Sequence, residues 1–258
     1  MAAQRGDRPD SDAVGKALRL LCLLGEHPDG VGVSRLARDA GYPVSTTHRL
    51  LTSLQRDGFV RSDRESRRYS LGLRMFELGQ RVSQARGFTG VALPVMQDVT
   101  ARTGEPTLMS VLDGRHQLYV HHVQGPHRIR VIGEPAKHGP LHCTSMGKCL
   151  IAFASDEVRA ELVDDIELTP LGPNTITDRA RFREEIQRVR EQGYAVSDEE
   201  HEAGVRAVGV PVVGPQGIAL ASLSTPAPAY RMTMEELTRF LPCLLDAAGQ
   251  LAVLLPTV

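Results

Sequence analysis

The feature that most restricts the fold of this chain is a Gly-Tyr-Pro turn, residues 41–43, between two short amphipathic segments. Glycine accepts positive φ and proline cannot continue the helix before it, so the chain must turn there. Ser34 can cap a helix before the turn, and Val44–Arg56 is predicted to form the helix after it. Another helix, capped by Ser11 or Asp12, precedes both. Three short helices with this turn predict a helix-turn-helix unit.

The third of these segments separates apolar from polar side chains at helical spacing. The face predicted to be buried consists of Thr47, Leu50, Leu51 and Leu54. The opposite face carries hydroxyl, imidazole and guanidinium groups, which can bond to phosphate oxygens and to base edges in the major groove. That outer face consists of Ser45, His48, Arg49, Thr52 and Arg56.

A basic hairpin is predicted directly after the third helix. Residues 59–62 alternate as a strand does, and residues 68–71 return after a short turn. Such a wing can reach phosphates or the minor groove. A three-helix core with solvated arginines is the alternative, but helices and hairpin together favour DNA binding. The predicted DNA contacts are Arg35, Ser45, Thr46, His48, Arg49, Thr52, Arg61, Arg64, Arg67 and Arg68.

Charge is divided unevenly along the chain. Residues 1–86 hold 15 Lys and Arg against 10 Asp and Glu, whereas the remainder holds 15 against 21. A basic module joined to an acidic one is typical of a protein that binds a polyanion with one part only. With 41% hydrophobic and 24% charged residues, the composition excludes a disordered chain. The start is polar and no apolar run approaches the roughly 20 residues of a membrane span, so we expect a cytoplasmic protein with no membrane partner.

The segment after the hairpin is predicted to be a helix that pairs two chains. Its apolar residues are spaced alternately by four and three, which is typical of a coiled-coil seam. The seam consists of Leu71, Met75, Leu78, Val82 and Ala85. A helix packed on its own domain remains the alternative, since two heptads cannot decide the matter. A homodimer is favoured because two winged heads in register gain affinity for DNA.

From residue 88 onward, helical and strand patterns alternate, as expected for an α+β domain of about 170 residues with a largely antiparallel sheet. Helices are predicted over residues 94–103, 145–154, 178–191 and 233–254. Strands are predicted over residues 107–112, 117–122, 129–132, 194–197, 207–213 and 218–224.

Sequence signatures of catalysis are absent from this second module: no G-x-S-x-G, H-E-x-x-H, G-x-G-x-x-G or phosphate-binding loop occurs. Its histidines and Cys143 could surround a metal, but ordinary histidines and a buried thiol are the favoured explanation. Asp198-Glu199-Glu200 could supply paired carboxylates, although a solvated acidic turn is commoner. We therefore expect no catalytic residue, metal or cofactor. The alternative is a metabolite-processing enzyme that carries a winged-helix anchor.

A candidate ligand site lies where a strand end meets a helix start, at residues 141–148. Hydroxyls and free backbone N–H groups at a helix terminus suit a carboxylate ligand. Ser222 and Ser224 fall on one face of a later strand and could offer hydroxyls to the same ligand. A capped helix next to a half-polar strand is an equal alternative.

Three ordered motifs make residues 12–255 resemble the IclR-type transcriptional regulators. The first is SRLA (34–37) followed by GYPVSTTHRLL (41–51). The second is LHCTSMGK (141–148), and the third is GYAVSDEE (193–200) followed by GVR (204–206).

The resemblance implies an α+β fold in which an N-terminal winged helix-turn-helix is joined by a linker helix to a GAF-like mixed α/β sensor domain. We expect a disordered arm over 1–11, a DNA-binding domain over 12–72, a linker and dimerisation helix over 73–87, and an effector-binding domain over 88–258. The resemblance also implies a homodimer, often a dimer of dimers, and a small organic acid or related metabolite as effector. The implied effector contacts are Ser145, Met146, Ser197, Ala207, Ser222 and Ser224.

This chain departs from the family pattern at several positions. Ser197 stands where the family often has an acidic residue, and Ala207 stands where a cysteine is common. Val44 occupies a position that is frequently basic, and Val213-Gly214 stands where an aromatic–acidic pair is usual. A pocket with Ser197 and Ala207 should repel anions less and offer fewer polar anchors. The expected function is a sequence-specific DNA-binding regulator, such as a repressor, whose operator affinity is controlled by a metabolite. An architectural dimer with a vestigial sensor is a further alternative.

Overall fold

The computed structural model describes residues 12–63, 65–128, 131 and 133–256. Within these residues the chain separates into two compact units that divide after Val82. The expected arm over 1–11, the wing residue Arg64 and most of the strand expected over 129–132 lie outside the described residues.

The first unit is built from helices and a small sheet. Its helices are α1 (Ala13–Gly25), α2 (Val33–Ala40) and α3 (Val44–Arg56), and α4 (Leu73–Ala85) leads out of it. Its strands are β1 (Val31–Gly32), β2 (Val60–Ser62) and β3 (Arg68–Leu71). They pair antiparallel in the order β1-β3-β2, so β3 lies in the middle. This is the predicted winged helix-turn-helix.

The ends of the first helices follow from local chemistry. Asp12 caps α1, because its carboxylate accepts a hydrogen bond from the amide of Gly15 at 2.8 Å. Gly41 ends α2 with a φ of 72°, in the left-handed region that favours glycine. The prediction that Ser34 caps α2 is wrong, because the helix begins one residue earlier, at Val33.

One apolar core joins the three helices to the small sheet. Leu20, Leu36 and Leu51, one from each helix, are fully buried. Val31 and Val60 bring β1 and β2 into the same cluster. Each fully buried leucine contributes about 2 kcal/mol relative to an exposed one, so tertiary burial rather than helix propensity stabilises these short helices.

The second unit contains a six-stranded antiparallel sheet with helices on both faces. Its strands are β4 (Thr107–Asp113), β5 (His116–Val123), β6 (His138–Gly139), β7 (Ala195–Asp198), β8 (Val205–Val213) and β9 (Ala219–Pro228). The strand order is β6-β5-β4-β9-β8-β7. The helices are a π-helical turn (Phe88–Ala92), α5 (Leu93–Thr103), α6 (Ser145–Ala152), α7 (Asp156–Asp165), α8 (Arg179–Gln192), α9 (Met234–Thr238) and α10 (Leu241–Leu254). This architecture confirms the predicted α+β fold of the second unit.

Each face of the sheet carries its own hydrophobic core. Met109, Val210 and Leu223 project to one side, where α5 and α10 pack. In each of these strands, the neighbouring residues project to the other side of the sheet, toward α6, since successive strand residues face opposite ways. There Leu150 of α6 and Phe182 of α8 belong to a second core. The predicted effector residues of the strands lie on this second side.

Several predictions about elements need correction. Leu71, predicted as the first residue of the helical seam, lies in β3, where it pairs with Val60, and α4 begins at Leu73. The patterns missed β1 and β6, each of which has only two residues and so cannot show a period. They also missed α7, whose buried residues are too few to mark a face.

The helix predicted over 233–254 is two helices, α9 and α10, with Phe240 at their junction and Pro242 in the first turn of α10. Thr233 and Glu236 form a reciprocal capping box that fixes the start of α9.

The segment Met234–Leu254 is long and apolar enough to cross a membrane by length and composition. In the fold this segment is divided between α9 and α10, and Leu237, Leu244 and Leu251 pack into the core on the sheet. Packing within the second unit therefore accounts for part of its apolar residues, whereas Leu245, Val253 and Leu254 are exposed.

Candidate functional site

The polar face of α3 is exposed, as its spacing predicts. The exposed residues are Ser45, His48, Arg49, Thr52 and Arg56. The Thr52 hydroxyl donates a hydrogen bond to the His48 carbonyl at 2.9 Å, so its donor is satisfied within the helix. Thr46, also a predicted DNA contact, is half-buried. Arg35 on α2 is exposed and lies 3.7 Å from Asp39 one helical turn further on.

The wing presents Arg61, Arg67 and Arg68 to solvent. Its turn is closed by Asp63, whose carboxylate accepts from the Ser66 amide at 2.7 Å and from the Ser66 hydroxyl at 2.6 Å. These bonds hold the pKa of Asp63 below its ordinary value. Arg67 has a φ of 55°, a left-handed conformation that costs a non-glycine residue about 1 kcal/mol. The hairpin therefore carries a basic side chain where glycine would be unstrained.

The first turn of α6 is fixed by two features of the loop before it. The Thr144 hydroxyl caps the helix by accepting from the Gly147 amide at 3.0 Å. Gly147 allows close packing, because a Cβ there would lie 2.2 Å from the carbonyl oxygen of Leu141. All residues of α6 are buried, so Ser145 and Met146 face the interior of the unit.

Two predicted effector residues from distant parts of the chain are in direct contact. The hydroxyl oxygens of Ser145 and Ser224 are 2.9 Å apart. Gly209, paired with Ser224 on the neighbouring strand, leaves room for this contact, since a Cβ there would lie 2.9 Å from Ser145 Oγ. Ser222 lies two residues along the same strand and donates to the Val210 carbonyl at 2.9 Å.

The other predicted effector residues lie on the same side of the sheet. Ser197 and Ala207 are paired across β7 and β8, and Ser197 donates to the Cys143 carbonyl at 2.9 Å. Met146 Sδ lies 3.4 Å from the hydroxyl oxygen of Ser110. Five of the six predicted residues are buried and Ala207 is half-buried.

Sequence reasoning missed a buried polar network centred on Gln117. Its side-chain amide donates to the hydroxyls of Thr144 and Tyr119, both at 3.0 Å, and accepts from Ser110 at 3.2 Å. Burial raises the pKa of Tyr119 to about 12, so its hydroxyl stays protonated. The alternation of polar positions 117 and 119 with apolar neighbours was the signal that could have shown it. The network ties β4 and β5 to the cap of α6.

A second missed feature is a fully buried lysine. Lys148 Nζ lies 2.9 Å from Glu185 Oε1 and 2.8 Å from Glu200 Oε1. Burial raises the pKa of the Glu200 carboxyl, although the nearby Lys148 lowers it. The interpretation of 198–200 as a solvated acidic turn is therefore wrong for Glu200. The pattern could not show this pairing, because Lys148 and Glu200 are 52 residues apart in the chain.

The predicted buried thiol is confirmed. Cys143 is fully buried, and burial raises its pKa to about 12, so the thiol stays protonated at neutral pH and is a poor nucleophile. Across the described residues, no three His, Cys, Asp or Glu side chains are placed to hold a metal ion. His138, one of the histidines of this unit, pairs with Asp113 at 2.6 Å.

Comparison with known proteins agrees with both units. The family described as "IclR helix-turn-helix domain" matches residues 13–64, and the family described as "Bacterial transcriptional regulator IclR C-terminal" matches residues 80–253. The transcriptional regulator XynR of Escherichia coli K12 is 30% identical over 90% of this chain and 92% of its own length. KdgR of the same organism is 30% identical over 95% of this chain and 93% of its own length.

Solved structures share the fold over nearly the whole chain. The IclR of Thermotoga maritima is 29% identical, covers 93% of this chain and 97% of its own, and has a TM-score of 0.75. An IclR homologue from Microbacterium hydrocarbonoxydans, solved in complex with 4-hydroxybenzoate, is 27% identical and has a TM-score of 0.83. The match covers 94% of this chain and 98% of the homologue's chain. These relatives are transcriptional regulators and not enzymes. The chain therefore belongs to the IclR family of bacterial transcriptional regulators.

Proposed function

We propose that this regulator binds a specific operator and that a small metabolite in its second unit controls the operator affinity. Operator binding is supported by one observation: the polar face of α3 is exposed, while its opposite face packs into the apolar core of the first unit. A helix of this kind fits the major groove, where His48 and Arg49 would meet base edges. The exposed wing arginines, Arg61, Arg67 and Arg68, would hold phosphates.

Substitution of Arg49 tests the proposed groove contact. A duplex selected from a random library by the full-length protein is titrated, with fluorescence anisotropy as the readout. Arg49→Ala should weaken binding about tenfold to a hundredfold, as expected for a lost contact to a base or phosphate. Arg239→Ala is the matched control, because Arg239 is an exposed arginine of the second unit and its loss changes the net charge equally. Equal affinity of the two variants would remove Arg49 from the interface.

The wing arginines have a different expected signature. Because a phosphate contact carries no sequence information, Arg68→Ala should weaken binding to specific and random duplexes alike. It should also reduce the dependence of log affinity on log salt by about one. A change restricted to the specific duplex would instead assign Arg68 to base recognition.

The proposal of a metabolite effector is supported by the cluster around the first turn of α6 and by the relative solved with 4-hydroxybenzoate. Ser145, Met146, Ser197, Ala207, Ser222 and Ser224 are the proposed contacts. An organic acid or a related metabolite is the proposed class of effector, since the amides of a helix N-terminus favour an acidic group.

A thermal-shift screen of the full-length protein against carboxylates, amino acids and aromatic acids, 4-hydroxybenzoate included, tests this class. Specific binding raises the apparent stability by about 2.7 kcal/mol at a ligand concentration 100 times the Kd. The compound found must also change operator affinity, and by reciprocity DNA must change its affinity by the same factor. A compound that binds tightly but leaves operator affinity unchanged would contradict effector control. A compound that is converted, rather than recovered unchanged, would instead support the alternative of an enzyme.

We propose a homodimer, and a dimer of dimers as its extension, acting on DNA in the cytoplasm. Every residue of α4 is at least partly exposed, including Leu73, Phe76 and Val82. Val14 and Leu18 of α1 are exposed as well. A row of exposed apolar side chains on a helix favours pairing with a second copy. Sedimentation analysis of Val82→Asp should show a shift toward the monomer, and an unchanged mass would exclude Val82 from the dimer interface.

A further inference from the structure

Lys148 joins three elements that are far apart in the sequence. It lies in α6, three residues after Ser145, and its ammonium group bonds to Glu185 of α8 and Glu200 in the turn after β7. All three side chains are buried. Because the two carboxylates approach from different elements, the position of the ammonium group fixes both elements against α6.

The two carboxylates are held unequally. Glu185 belongs to a helix of 14 residues, and its second oxygen accepts from Arg188 at 2.8 Å. The second oxygen of Glu200 is buried, with no hydrogen-bond partner among the residues that the structure describes. Burial also raises the pKa of Glu200. Glu200 is therefore the weaker of the two attachments of Lys148.

The turn that carries Glu200 is held from one side by a loop and from the other by Lys148. The Gly172 amide donates to the Glu200 carbonyl at 3.0 Å, and Asn174 donates to the Asp198 carbonyl at 3.0 Å. Glu199 between them has a φ of 55°, a left-handed conformation that persists only where its surroundings hold it. The bond to Lys148 is a side-chain link from this turn to α6.

We propose that Lys148 is a positioning residue that couples the first turn of α6 to the turn after β7 through Glu200, so that a shift of either segment is transmitted to the other. Both segments carry proposed effector contacts, Ser145 on one and Ser197 on the other. The inference rests on the proposed function only for the role of these contacts. The coupling itself is a property of the protein without ligand.

Hydrogen exchange of the full-length protein, followed by mass spectrometry, tests the coupling. Glu200→Ala leaves Lys148 paired with Glu185, so the fold keeps a neutralised cation. We expect exchange to become about tenfold faster both at residues 198–201 and at residues 145–149, as expected for loss of one charged hydrogen bond in local opening. Glu200→Gln should restore slow exchange in both segments, because its amide oxygen can accept from Lys148. Glu202→Ala is the matched control, since it removes a carboxylate from the same turn but an exposed one.

Faster exchange at 198–201 alone would overturn the proposal, as would equal acceleration in every peptide, including α10. The proposal would also be overturned if Glu200→Gln did not restore slow exchange at residues 145–149. If Glu200→Ala does not fold, Glu200→Asp draws the carboxylate back by one methylene and should give a smaller change in the same two segments. Since no ligand is present, these results are independent of whether an effector is found.

Discussion

Replacing Lys148 with methionine separates the electrostatic and packing contributions of the buried lysine. Methionine keeps an unbranched apolar stem but removes the ammonium group. Two carboxylates, each with 9% of its side chain exposed, then lose their shared cation. Breaking a buried ion pair costs about 3–5 kcal/mol, and the lower end applies because Glu185 retains Arg188. A loss of about 3 kcal/mol corresponds to a Tm lower by about 6–12 °C for a unit of this size.

The loss of stability should depend on pH in a defined direction. The pKa of Glu200 is raised by burial, and removal of Lys148, which lowers it, must raise it further. A carboxyl with a raised pKa in the folded state binds protons better when folded, so stability falls as pH rises from the ordinary value through the folded one. The deficit of the variant should therefore be largest at about pH 8 and smaller at about pH 5. A loss of unfolding free energy caused by lost packing would be the same at both pH values.

Urea unfolding followed by circular dichroism at the two pH values measures this deficit. Lys137→Met is the matched control, because Lys137 is exposed and paired at the surface with Glu134. That substitution should change the free energy of unfolding by less than about 1 kcal/mol at either pH. A Lys148→Met deficit that is independent of pH, or no larger than that of the control, would refute the electrostatic reasoning.

Two further predictions follow from close packing and burial in the second unit. Gly209→Ala should destabilise the protein by about 1–3 kcal/mol, because its Cβ would lie 2.9 Å from Ser145 Oγ and 3.1 Å from a backbone oxygen. Gly249→Ala, a helical position with open space around it, is the control and should be neutral or stabilising in the same thermal melts. Iodoacetamide at about pH 8 should label the exposed Cys22 but not Cys143, whose pKa burial raises to about 12. Labelling of Cys143 in the folded protein, measured by peptide mass spectrometry, would contradict its assignment as an inert buried thiol.

The first unit was largely predictable because its determinants are local. The Gly-Tyr-Pro turn and the apolar spacing after it gave Val44–Arg56 with its observed bounds, and the buried and exposed faces of that helix agree with the pattern. Asp12 was identified as a possible cap from its residue type alone. The strand Val31–Gly32 was not predicted, because it is defined only by its pairing with Tyr69 and Arg68.

The second unit was predictable in its elements but not in its contacts. Residue types and glycine positions indicated most strands and the start of α6, where Thr144 provides the cap. The grouping of Ser145 with Ser197 and Ala207 came from the resemblance to a family, since spacing alone does not say which strands are neighbours. The role of Lys148 could not be foreseen, because it bonds to residues on other elements. For Gln117 the sequence offered only the polar alternation at 117 and 119, and its bond to Thr144 depends on the fold.

The order of residues by itself determined the bounds and the apolar face of α3, the cap of α1, and that a basic module precedes an acidic one. These properties depend on interactions within a few residues. Tertiary structure alone decided that a lysine of α6 is buried between two glutamates, and that Glu200, in a run of acidic residues, faces inward. The reason is physical: burial and ion pairing depend on which segments meet in space, and residues 52 positions apart in the chain meet only once the sheet has formed.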